Sequence, residues 1–278
     1  AFYAAAQLAA KRNIPFALDI EDYHPGESNN PREQAIMTTL VRNLIPKAAY
    51  ASYASPLIKE YSERLFERKP RASFVLNNIF SATDFPLPSA EVRGKVKVVW
   101  FSQYIDFDRG LEVLIPALEK FADRFELTLI GNCREEFRQK FVAGREFVKL
   151  MQPLSQQRLH GIIGEFDIGL AIEPGRDMNN RVALSNKIWT YFQSGIFIFA
   201  SDTPAQEAFM AEYPDHGICI PLTTERIDAA LNDLASRIEE IRAEKITRFE
   251  RAAGMGWEKE SQILVNQWRL LLEQPLNA

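Results

Sequence analysis

The stretch EFDIGLAIEPGRDMNNRVALSNKIWTYFQSGIFIFASDTPAQE, Glu165–Glu207, decides the fold. Asp167–Ile172 (DIGLAI) is an unbroken apolar run of strand length. Ser185–Gln193 carries apolar residues at helical spacing, Gly195 punctuates its end, and Ile196–Ala200 (IFIFA) is a second apolar run. Asp202 or Thr203 then caps another helix, with Pro204 at its first position and Glu207 in its first turn. Runs this uniformly apolar are strands covered on both faces. A helix between two of them gives the crossover that a parallel sheet requires.

The same alternation extends both ways. Toward the C-terminus, Gly217–Ile220 is a strand, Glu225–Ile246 a long charged helix and Trp257–Leu272 a final amphipathic helix. Upstream, strands are predicted over Lys95–Phe101 (KVKVVWF), Glu126–Ile130 and Phe147–Met151, with helices over Gly110–Phe121, Arg134–Val142 and Gln156–Ile163. About six strands with intervening helices make a Rossmann-like domain. An earlier series holds helices at Ala1–Lys11, Pro31–Ile45 and Pro56–Phe66, the second capped by Asn30, and strands at Pro15–Ile20, Tyr50–Ala54 and Ser73–Leu76. Phe80–Gly94, with two prolines and no periodicity, is the linker between the two series.

Composition narrows the function. The chain has 278 residues, 46% hydrophobic and 25% charged, a balance suited to two soluble globular domains. A net charge of -4 argues against a broad nucleic-acid footprint but leaves room for a local basic pocket. Cys133 and Cys219 form no C-x-x-C pair, which argues against a zinc site or disulfide framework and fits a reducing cytosol. No apolar run is long enough to span a bilayer, and Ala1–Ala10 lacks the basic leader of a signal peptide. Because the chain opens on Ala1 in mid-pattern, we expect an N-terminal portion to be missing.

Ligands of open parallel sheets sit beyond the carboxyl ends of the strands. In the loop Phe101–Gly110, Asp108 can cap the following helix, Gly110 permits close backbone approach, and Arg109 stands in the first helical turn. A cation there opposes the helix dipole unless an anion compensates it; a surface arginine paired with Asp106 or Asp108 is the other reading. Ser185-Asn186-Lys187 poses the same choice: a cap, free amides and a cation form a phosphate cradle, or Lys187 is a solvated side chain. Asp19–Glu27 gathers four carboxylates and His24, which could serve as a metal or acid/base site or merely line a solvated loop. His160 and His216 read as structural, and Trp100, Trp189 and Trp257 as core.

The order of these segments resembles the group 1 family of retaining, nucleotide-sugar-dependent glycosyltransferases of GT-B fold. KVVWFSQYIDFDRGLEVLIPAL, FELTLIGN, EFDIGLAIEP, SNKIWTYFQSGIFIFASDTPAQE and GWEKESQILVNQWRLLL follow that family's donor domain. ALDIEDYHPGE and AAYASYASPLIKEYSERL follow the later strands of its acceptor domain. The resemblance implies a partial acceptor-side domain with linker over residues 1–92, lacking its first strands and glycine-rich loop. It further implies a donor-binding domain over 93–256 and a helix over 257–278 crossing back to the first.

By the same resemblance, Arg109 and Lys187 are the catalytic cations facing the diphosphate in one cleft. Ser102, Gln103, Gly131, Asn132, Gln152, Pro153, Ser185, Asn186 and Thr190 contact the donor, with Met151–Pro153 as the loop touching the base. Glu21, Asp22 and His24 contact the acceptor. The family's paired glutamates fall at Val182 and Thr190 here, and Glu173 fits neither position.

The implied activity is transfer of a sugar, with retention and without a metal or other cofactor, from a nucleotide-diphosphate sugar to a glycan or lipid-linked acceptor, as in polysaccharide biosynthesis. The implied place is the cytoplasm, with peripheral contact at the inner membrane face through the first domain. A nucleotide-sugar epimerase of the same shape and a non-catalytic nucleotide-binding module are the alternatives.

Overall fold

The computed structural model describes residues 2–67, 69–89 and 94–273. It falls into two compact units whose boundaries differ from a simple division at the linker. The first unit holds the residues up to Asn78, the segment Gly175–Leu184, and the chain from Trp257 onward. The second holds Ile79–Pro174 and Ser185–Gly256. The expected boundary at residues 92 and 93 lies outside the described residues, as does the end of the chain beyond Glu273.

In the first unit, β1 (Leu18–Ile20), β2 (Ala51–Tyr53) and β3 (Ser73–Val75) form a parallel sheet in that order. Helix Pro31–Leu44 begins as its sequence dictates: the Asn30 side chain accepts from the Arg32 amide at 3.0 Å, and Pro31 takes the first position. Leu18, Ile20, Val41, Ile45, Tyr53 and Ile58 close a core against this sheet.

Val182 joins that core from the short helix Met178–Val182, which the sequence reading missed. Five residues, mostly polar, are too few to show helical periodicity. Tertiary bonds hold this helix instead. Asn179 accepts from the Tyr23 amide at 2.7 Å and donates to Asp22 at 2.8 Å, while Ser55 Oγ donates to the Val182 carbonyl at 2.9 Å. Gly26 leaves no room for a side chain here, since a Cβ would lie 2.8 Å from the Asn179 amide. The final helix, Trp257–Glu273, is tied in by Trp268 Nε1 donating to the Tyr50 hydroxyl at 2.8 Å and by Glu260 accepting from the Asn77 amide at 2.7 Å. Trp257, expected in the core, is 40% exposed, because this helix buries no residue fully.

The second unit is built on β4 (Val96–Ile105), β5 (Phe125–Cys133), β6 (Val148–Met151), β7 (Ile168–Ala171), β8 (Phe197–Ser201) and β9 (Gly217–Ile220). All pairs are parallel, in the order β6-β5-β4-β7-β8-β9. That is the doubly wound arrangement, with its switch point between β4 and β7. β7 and β8 are buried along their whole length, as their apolar runs require. Helix Leu111–Glu119 packs with Thr224–Ser236, while Asn186–Gln193 packs with Gln156–Ile163 and Lys245–Ala253.

Three readings are corrected in this unit. The long charged helix is three helices, Thr224–Ser236, Ile238–Ala243 and Lys245–Ala253, bent at Arg237 and Glu244 so that Arg242, Lys245 and Arg248 turn inward and are buried. Arg134–Val142 is a short α-turn followed by a wider π-turn. The segment read as a linker is anchored rather than free between Ile79 and Phe85. Gln193 accepts from the Phe80 amide at 3.0 Å and donates to its carbonyl at 2.9 Å, and the Phe85 ring stacks on His160 at 4.3 Å.

Candidate functional site

β4 runs four residues past the point where its apolar pattern ends, and it changes character on the way. Phe101 pairs with Ile130 and Tyr104 with Asn132, so β4 advances three residues while β5 advances two. The extra residue is a bulge at Ser102-Gln103. Gly131 makes it fit: its φ is +152°, and a Cβ there would lie 2.2 Å from the Ser102 carbonyl. Asn132 Nδ2 steadies the same turn by donating to the Gln103 carbonyl at 3.2 Å.

Beyond the bulge lies a cavity of about 500 Å³. Phe101, Ile130, Leu154 and Leu159 give it apolar walls, with Pro153 beside them. Ser102, Gln103, Ser185, Asn186 and Lys187 give it a polar side. All ten residues belong to the second unit. The carboxyl ends of β4, β5 and β6 thus meet the first turn of helix Asn186–Gln193, where the topology places a ligand.

That helix is seated on the sheet by Tyr191. Its hydroxyl lies 3.4 Å from the Val99 carbonyl and 3.3 Å from that of Leu170, bridging the switch-point strands, and its ring lies where any Cβ on Gly169 would be, within 2.3 Å. Burial holds the phenol well above its ordinary pKa, so it stays a neutral donor. At the helix start, Ser185 occupies the cap position but its side chain makes no capping bond, contrary to the sequence reading. Its Oγ instead accepts from Lys187 Nζ at 3.4 Å.

Lys187 Nζ also donates to Glu173 Oε1 at 3.1 Å and lies 5.5 Å from the Trp100 ring center. Both side chains of the ion pair are largely covered, at 15% and 14% exposure. Glu173 stands just past the end of β7. Ser201 Oγ bonds its backbone on both sides, at 2.8 Å from the amide and 2.9 Å from the carbonyl. The protein itself therefore compensates a lysine at a helix start, a task that the sequence reading left to a bound diphosphate. The paired-glutamate spacing of the resembled family passes over Glu173. Its position beyond β7 at the switch point was the available signal.

The cavity brings together Lys187, Ser102, Gln103, Pro153, Ser185 and Asn186, with Gly131 and Asn132 holding their bulge. It leaves others outside its lining. Gln152 is exposed next to Pro153. Thr190 is 1% exposed, its hydroxyl spent on the Asn186 carbonyl at 3.2 Å. Arg109 is exposed and is not among the lining residues. Of the acids read beside Arg109, Asp106 pairs with Arg134 at 2.9 Å, and the Asp108 amide donates to the Glu112 carboxylate. The cap position of the following helix falls to Gly110, at φ +80°, instead of Asp108.

Glu21, Asp22 and His24 lie in the first unit. Glu21 is exposed, Asp22 is held by Asn179, and His24 pairs with Glu27 at 3.0 Å. Among the described residues no three His, Cys, Asp or Glu side chains cluster as metal ligands, and no helix is long and apolar enough to cross a membrane.

No family model matches the chain, and no curated protein sequence matches it. Solved structures do share its fold. Sucrose-phosphate synthase from Thermosynechococcus elongatus superposes with a TM-score of 0.75 at 13% identity, covering 97% of this chain and 71% of that one. Anabaena HepE in complex with UDP gives 0.72 at 13% identity, covering 95% and 74%. HepE in complex with UDP-glucose gives 0.70 at 14%, covering 96% and 76%. At such identities the likeness speaks for the fold: α/β with parallel sheets, of the GT-B type that the segment order resembles.

Proposed function

We propose that this chain is a glycosyltransferase of the retaining group 1 class, using a nucleotide-diphosphate sugar bound in the cavity beyond β4, β5 and β6. The observation that carries the reading is the position of Lys187 Nζ in that cavity, at the start of helix Asn186–Gln193 and at the switch point of the sheet. The likeness to structures solved with UDP and UDP-glucose supports the same choice of ligand.

The apolar walls from Ile130 to Leu159 suit a base and ribose, and the polar side suits the diphosphate. In transfer, the bond from the sugar's anomeric carbon to the phosphate oxygen breaks and its electron pair leaves with the nucleoside diphosphate. Lys187 and the amides of the helix start meet the charge that develops there. The acceptor hydroxyl forms the new bond to the anomeric carbon and passes its proton to the departing phosphate oxygen. Because a lysine and amides can stabilize the leaving group, the reaction proposed needs no metal. A glycan or lipid-linked acceptor would meet Glu21, Asp22 and His24, and Arg109 would add its charge to the diphosphate from outside the cavity lining.

A non-catalytic nucleotide-binding module is the second reading. It is favored by Val182 and Thr190, which fill the two expected glutamate positions and are both buried. A thermal-shift screen of UDP-, GDP- and ADP-sugars, followed by an assay for radiolabeled sugar transfer, separates the two. Stabilization with transfer supports the enzyme, stabilization without transfer supports the module, and stabilization by none refutes both.

A further inference from the structure

We propose that Glu173 is an internal counter-ion that competes with the donor's phosphate for Lys187, and so keeps the binding of nucleoside diphosphate weak. This rests on the cavity being the donor site. Lys187 lines that cavity, yet its ammonium is engaged by Glu173 at 3.1 Å and by Ser185 Oγ at 3.4 Å. A phosphate oxygen reaching the same ammonium within bonding distance would stand within a few ångströms of the Glu173 carboxylate. Like charges that close repel, and with both partners about 85% covered, solvent screens them little. The carboxylate must then give up Lys187 as the phosphate takes it.

The bland reading is that Glu173 only holds Lys187 in place at an unfavorable helix end. The two readings differ in sign. A holder, once removed, leaves Lys187 misplaced and ligand binding weaker. A competitor, once removed, leaves ligand binding stronger. Ser201 fixes the Glu173 backbone from both sides, so a change confined to the carboxylate leaves the end of β7 in position. A competitor also has a use in turnover. The product carries the same diphosphate as the donor, and a carboxylate ready to reclaim Lys187 hastens its departure.

The test is calorimetric titration of UDP, GDP and ADP into wild type, Glu173→Gln, Lys187→Met and the double variant, with thermal unfolding of each as a check on folding. For whichever nucleotide binds wild type, Glu173→Gln should bind about five-fold tighter, the scale of one partly covered charge pair. Lys187→Met should lose most binding, and adding Glu173→Gln to it should restore little, because the effect runs through Lys187. In turnover, Glu173→Gln should lower the donor KM and sharpen inhibition by product. Unchanged or weaker binding by a folded Glu173→Gln overturns the proposal. Should that variant unfold, Glu173→Asp, which draws the carboxylate back by one methylene, takes its place with a smaller gain expected and the same overturning result. Wild type that binds none of the three refutes the donor-site reading itself and the competition with it.

Discussion

β7 has a carboxylate at each end, and the two are used in opposite ways. Asp167, just before the strand, is 0% exposed. It accepts from Arg242 at 3.1 and 3.0 Å and from the Lys97 amide at 2.9 Å, with Lys245 Nζ at 3.8 Å. Those cations are spent on backbone too: Lys245 on the Phe166 carbonyl at 2.7 Å, Arg242 on those of Gly94 and Lys95, each at 3.2 Å. Burial draws Lys245 down to about 8 against the opposing pull of Asp167. Glu173, past the other end, meets a lysine that lines a cavity. The amino edge of the sheet is closed by a network whose members satisfy one another, and the carboxyl edge carries an ion pair within reach of a ligand. A buried network fixes structure, while a pair beside a cavity remains available to chemistry.

The largest expected effect lies at the closed edge. Asp167→Asn keeps the shape but strands Arg242 and Lys245, and should cost about 3–5 kcal/mol in urea unfolding. A cost below 1 kcal/mol would dissolve the contrast between the two edges. His216 shares the closed edge, its Nε2 3.3 Å from the Arg248 carbonyl. Burial lowers it from 6.5 to about 4. The unfolded chain therefore takes up a proton near pH 6.5 and the folded chain only near pH 4, so the contribution is complete above 6.5 and is lost as the pH falls through 4. Stability should drop by roughly 2–3 kcal/mol over that window. His216→Phe should flatten this acid limb, and an unchanged limb would assign the loss to other groups.

At the open edge the effects move from stability to binding. Lys187→Ala should weaken binding of the nucleotide sugar about ten-fold, one charge-assisted bond, and should cost about 1–2 kcal/mol in unfolding, since it removes the ammonium paired with a largely covered Glu173, still less than Asp167→Asn. Titration and unfolding of the same sample check both halves. Smallest of all, Arg109→Ala should change nucleotide affinity by about two-fold, since an exposed charge outside the lining acts only through screened attraction. A loss matching that of Lys187→Ala would place Arg109 on the diphosphate after all.

Legibility in the sequence followed the range of the forces involved. β7 and β8 were readable because buried parallel strands are uniformly apolar, the half-exposed edge strands β6 and β9 only through their place in the alternation, and the rule that ligands gather past strand ends pointed to the stretch where Lys187, Ser102 and Gln103 line a cavity. That Arg109 and Thr190 stay out of that lining was not legible, because segment order says nothing about where a side chain points. Asp167 and Arg242, 75 residues apart, carry no local signal of their pairing. Nor does a polar five-residue helix such as Met178–Val182, whose partners Asp22 and Tyr23 lie far away along the chain.

The bulge at Ser102-Gln103 makes the length of β4 a form of phase. Residues of a strand alternate between faces, and one surplus residue resets that alternation between Phe101 and Tyr104. Past the reset, Ile105 points inward and is 0% exposed, while Tyr104 points outward. Losing either bulge residue would reverse the two, sending isoleucine to solvent and tyrosine to the core, and would take the Ser102 carbonyl away from Gly131. A deletion there rewrites an edge of the cavity without altering any side chain that lines its far wall. The site should therefore tolerate substitution of the exposed Tyr104 far better than any change in the count of residues along this stretch of β4.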